Sequence, residues 1–200
     1  MIERSRRDAG QAFPIYVVMV AGLLFLVFAF FAVGKASALR NGAQGAADAA
    51  ALAAAQQNRE NFGTGFYASL PQDMLEQFLQ VHRVNGCPAA RKFAAENQAK
   101  VTDCLPTRGG YRDQVKVDVK GRKPVDSSVL PGSQRTFAKA TATAVIKFRC
   151  KWKSVDYNDD GIQDMYFFSC GKDFLEIEPS NPPPWSEVSK IFYDVHLVDN

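Results

Sequence analysis

The sequence predicts an α+β protein. A long N-terminal helix, part membrane-spanning and part stalk, precedes an extracellular domain of short helices and an antiparallel β-sheet. Three observations carry this. The run "FPIYVVMVAGLLFLVFAFFAVG", Phe13 to Gly34, holds 22 residues without a charge. An alanine-rich stretch follows it with no proline before Pro71. Beyond about residue 113 the apolar period changes from helical to alternating.

Elements follow in chain order. Residues 1–12 form a short cytoplasmic leader, and Arg4, Arg6 and Arg7 within it place the N-terminus inside. Residues 13–34 rise about 33 Å as a helix, enough for a hydrocarbon core of about 30 Å. A buried core helix and a cleaved secretory signal are the competing readings; Ala36 and Ala38 offer small residues for cleavage, but the apolar run is longer than a signal requires. Pro14 falls in the first turn, where its missing N–H costs little. Residues 35–62 continue as a small-residue stalk, so one helix runs from about Phe13 to about Arg59 and ends near Gly63.

Residues 63–200 form the head. "PQDMLEQFLQVHRVNG" and "PAARKFAAENQAKVTDC" read as two short helices. "DQVKVDVKGR" alternates valine with charge. "TFAKATATAVIKFRCKW" alternates for longer, its inner face beginning with Ala138, Ala140, Ala142 and Ala144. Alanines there imply a close neighbour, and the stalk is the natural one. "DMYFFSC", "FLEIEP" and "IFYDVHLVD" supply further strands, the last two separated by the proline-rich turn "PSNPPPW".

Cys87, Cys104, Cys150 and Cys170 all lie in the head. An even count in an exported domain favours disulfides, and the spacing lacks a zinc pattern. Cys87 and Cys104 bracket a short helix whose flanks fold back. Strands paired antiparallel about residue 160 bring Cys150 opposite Cys170 and Trp152 opposite Phe168. The predicted pairs are therefore Cys87–Cys104 and Cys150–Cys170.

"DYNDDGIQD" places side-chain oxygens of Asp156, Asn158, Asp160 and Asp164 at positions 1, 3, 5 and 9, with Gly161 at the sharp turn and the Ile162 carbonyl between. Calcium takes six to eight oxygens, and a loop of this spacing can curl around it. The spacing resembles the calcium loops of integrin-type repeats and departs from the EF-hand, whose twelfth-position Glu is Phe167 here. An acidic turn that binds nothing is the alternative. The expectation is a structural Ca2+. His82 reads as a helix-end residue and His196 as a strand-surface one. No phosphate loop or nucleophile elbow is present, so neither an enzyme nor a small-molecule substrate is expected. A net charge of +3, dispersed along the chain, gives no case for nucleic acid.

Small residues let helix backbones approach. Gly42, Ala46, Ala50 and Ala54 recur every four residues. Their face can pack on the chain's own sheet or dock helices of other subunits.

"RRDAGQAFPIYVVMVAGLLFLVFAFFAVG" followed by "NGAQGAADAAALAAA" resembles the TadE/TadG-like proteins of tight-adherence (Flp, type IVc) pilus systems. The resemblance covers about the first 60 residues. It implies a membrane-anchored minor pseudopilin or assembly factor, with other pilus subunits as partners through the N-terminal helix. Leader cleavage in such systems follows a glycine, here Gly10 with Gln11 as the new N-terminus. The glutamate expected five residues on is Ile15, so retention of the leader fits better. A stand-alone anchored binding module or adhesin is the alternative function.

Overall fold

Alanine's helix propensity and the lack of an interior proline carry a single unbroken helix, α1 (Ala12–Asn61), about 75 Å long. The computed structural model describes residues 12–82, 85–124 and 135–198. The cleavage expectation at Gly10 and Gln11 lies outside them. Three short helices follow: α2 (Gly63–Ser69), α3 (Leu75–Val81) and α4 (Cys87–Glu96). Then come β1 (Ala99–Thr107), β2 (Arg112–Pro124), β3 (Phe137–Phe148), β4 (Lys151–Val155), β5 (Met165–Cys170) and β6 (Asp173–Ile177), with α5 (Trp185–Phe192) and β7 (Tyr193–Val198) closing the chain.

The architecture is α+β, as expected, but among the described residues the strands form two antiparallel sheets in place of one. Strands β1-β2-β3-β7 form the first and β4-β5-β6 the second. The long alternating segment breaks at Arg149–Cys150, where the Arg149 N–H leaves the ladder for the Phe192 carbonyl. Alternation runs through the break because Phe148, Cys150 and Trp152 all face one shared core.

Two further expectations change. The segment after Cys87 is helical only to Glu96; Gln98, at a φ of 57°, turns the chain into edge strand β1. That strand is mostly exposed and carries no apolar alternation. The segment before the last strand is helix α5, which buries Val188, Ser189 and Phe192 and places Pro184 at its N-cap.

One face of the first sheet meets α1. Val115, Val117 and Val119 of β2 pair with Ala144, Ala142 and Ala140 of β3. Against them lie Ala43, Ala46, Ala47, Ala50, Ala51, Ala54 and Ala55, all but sealed from solvent. Helix α4 covers another side of the same stripe. The small-residue face is therefore spent inside the chain: Ala46, Ala50 and Ala54 are not available to a neighbouring subunit, while Gly42 remains exposed. Bulk returns past the alanines. Phe62, Phe66, Phe148, Phe168, Phe192 and Trp185 form an aromatic cluster, with Phe168 and Phe192 centroids 4.5 Å apart.

Candidate functional site

α1 has two unlike halves. From Phe13 to Val33 the large apolar side chains stand exposed, Phe13 at 76% and Phe30 at 75% exposure, while Ala32 is buried. An apolar surface of this extent has no stable place in water. By length and composition the segment can cross a membrane as a single span. From Ala43 to Asn58 the same helix enters the head's core. Asn58 accepts the Asn85 N–H at 2.7 Å and ties the loop before α4 to the helix.

Both predicted disulfides are present, Cys87–Cys104 and Cys150–Cys170. The first joins the start of α4 to β1. The second joins the two sheets' junction to the end of β5, beside the Trp152–Phe168 pair. The β4–β5 hairpin has the expected register.

At its tip the acidic loop closes on itself. Asp156 accepts the Asn158 N–H at 3.2 Å and the Gly161 N–H at 2.8 Å. Asp160 accepts the Ile162 N–H at 2.8 Å, Asn158 accepts the Asp160 N–H at 3.0 Å, and Asp164 accepts the Tyr157 N–H at 2.8 Å. Gly161 takes a φ of 85°, the left-handed turn anticipated for it. These oxygens are held in one loop, yet among the described residues no group of three or more His, Cys, Asp or Glu is gathered to hold a metal ion.

α1 thus carries two unlike surfaces, an apolar half of membrane-spanning length and a half packed into the head. Residues 10–57 match the family model described as "Putative Flp pilus-assembly TadE/G-like". The matched TadE/G-like segment ends one residue short of Asn58, so it spans the apolar half and nearly all of the alanine half. This supports a pilus-assembly component that meets other pilus components and carries a membrane-associated helix. No curated protein and no solved structure matches the chain.

Next to the end of the TadE/G-like segment lies a pair that the sequence reading passed over. His82 Nε2 sits 2.5 Å from Asp113 Oδ2, with both side chains 3% exposed. His82 Nδ1 is 3.0 Å from the Phe78 carbonyl, which can only accept, so this nitrogen carries a hydrogen. Asp113 also accepts the Gly109 N–H at 2.9 Å. The pair clamps the end of α3 to the start of β2, under the rings of Phe62 and Phe78. One signal was available: Asp113 shares the parity of Val115, Val117 and Val119 and therefore points inward. His196 lies elsewhere, beside Asp194 on β7.

Burial pushes the Tyr67 hydroxyl up to about 12, and that hydroxyl donates to the Pro183 carbonyl at 2.6 Å. Tyr111 is likewise raised to about 12, by burial and by its hydrogen bond to Glu76.

Proposed function

We propose that the chain is a membrane-anchored, pilin-like minor pseudopilin or assembly component of a tight-adherence, type IVc pilus or related secretion apparatus. In this reading the leader is retained in the cytoplasm and the head lies outside the membrane. The role is structural and involves no catalysis. The carrying observation is the undivided α1. Its apolar half is unsatisfied by the chain itself and its alanine half is the head's own core.

With Ala46, Ala50 and Ala54 buried, contacts to other subunits fall to the apolar half and to the exposed turns just beyond it. Gly42 and Gly45 are open there, with nothing near the position a Cβ would take. Crosslinking from Gly42→Cys or Gly45→Cys in native membranes is expected to capture other pilus proteins. A chain that stays uncrosslinked supports the stand-alone adhesin instead. N-terminal sequencing beginning at Met1 or Ile2 agrees with leader retention; a sequence beginning at Gln11 overturns it.

We further propose that the hairpin tip holds a structural Ca2+ through Asp156, Asn158, Asp160, Asp164 and the Ile162 carbonyl. The donor set suits a hard cation, and the loop already has its turn. Calcium is expected to raise the head's melting temperature in the native chain and not in Asp160→Ala. Equal melting with calcium or chelator in both proteins removes the site.

A further inference from the structure

Among the described residues, the end of the head nearest the apolar half of α1 carries exposed cations. Strand β2 runs back toward that end through Gly121, Arg122 and Lys123 to Pro124, with Arg122 and Lys123 exposed. The β2 end, the start of β3 at Ala138 and the turn from α4 to β1 meet α1 at Ala38, Leu39, Gly42 and Ala43. Between them lies an open cleft of about 350 Å³. Arg122 is held in place through its backbone, whose N–H donates to the Gln98 carbonyl at 2.9 Å. On the adjoining strands Lys120 lies across from Lys100 and Lys139, its Nζ 4.2 Å from the Phe137 ring centroid. Glu96 is the one carboxylate of the lining, and the cations outnumber it.

Position assigns the ligand. Ala38 is four residues beyond Gly34 and Ala43 nine, so the α1 wall stands about 6–14 Å past the end of the apolar run. The headgroup layer on one side of a bilayer is about 5–8 Å deep. The near edge of that wall therefore falls within the headgroup layer. Apolar Ala38, Leu39 and Ala43 line the cleft together with cationic Arg122 and Lys123. This suits a phosphodiester carrying an acyl-glycerol stem.

We propose that this cleft binds an anionic phospholipid headgroup, through Arg122 and Lys123, and seats the head on the outer membrane face. The proposal rests on α1 spanning the bilayer as read above. Lys and Arg near an anionic surface each contribute enough to change association about fivefold.

The full chain would be reconstituted into vesicles of phosphatidylcholine mixed with phosphatidylglycerol and extracted in mild detergent, and the co-purifying lipid quantified. Enrichment of phosphatidylglycerol is expected. It should fall about fivefold with Arg122→Gln, as with Lys123→Gln, and persist in Arg122→Lys and Lys123→Arg. Amide exchange at Gln98 and at Gly121–Lys123 should slow in the mixed vesicles relative to pure phosphatidylcholine.

Equal enrichment in the native chain and the double Gln variant overturns the proposal. Protection by inorganic phosphate alone, in phosphatidylcholine vesicles, overturns the lipid assignment in favour of a soluble anion. Release of the chain by alkaline carbonate, without detergent, overturns the membrane-spanning reading and the proposal with it. Retention after carbonate without phosphatidylglycerol enrichment overturns the proposal alone.

Discussion

Single atoms decide how closely α1 and α4 can pack. Gly86, at the N-cap of α4, has an ordinary negative φ, so its backbone asks for no special residue. Its reason is space: a Cβ there would lie 2.0 Å from the Ala54 carbonyl oxygen and 2.7 Å from the Ala54 Cα. Both are backbone atoms of a long helix and cannot swing aside. Gly86→Ala is expected to cost about 2 kcal/mol, and thermal melting should fall by about 4–8 °C. Tyr67 gives a different readout. Its folded-state value of about 12 stands above the free value of 10.0, so the neutral ring is the form that the fold favours. The associated stability is complete below about pH 10 and drains away as pH rises toward about 12. Denaturant titrations across that window should show a shallower alkaline decline for Tyr67→Phe than for the native chain.

Elements were legible where one physical signal dominated. Twenty-two uncharged residues and a proline-free, alanine-rich stretch announce α1, and valine–charge alternation announces β2. The Cys150–Cys170 bridge was readable because the turn at Gly161 fixes parity along both strands of the hairpin. β1 escaped because an exposed edge strand needs no apolar face. α5 escaped because "IFYDVHLVD" alternates apolar residues across a helix–strand junction at Phe192–Tyr193, hiding the change of period. The division into two sheets escaped because Phe148 and Cys150 keep one parity through the break. The His82–Asp113 clamp joins residues far apart in sequence, and only the inward parity of Asp113 hinted at it. The disulfides close loops spanning 17 and 20 residues, and each should contribute about 3 kcal/mol through the unfolded chain. Replacing Cys150 and Cys170 together by Ala should lower the denaturant midpoint and steepen the slope, because the uncrosslinked denatured chain exposes more surface.

Across the whole molecule, the helix that leaves the apolar segment is also the head's central packing element. Cutting the chain before Lys35 removes exposed apolar surface and leaves the alanine stripe in place, so the remaining protein should melt cooperatively without detergent. Cutting before Glu60 removes the stripe from Ala43 to Asn58 and strips the inner faces of β2 and β3 of their cover. That shorter protein should lack near-ultraviolet ellipticity and exchange its β2 and β3 amides freely. Because no hinge interrupts residues 12–61, azimuth is conserved along the rod. One residue added between Gly34 and Gly42 would swing the head by about 100° about the helix axis, and four would leave it about 40° from its original bearing while lifting it about 6 Å. Any assembly that grips the apolar end of this rod thereby sets which side of the head its neighbours see.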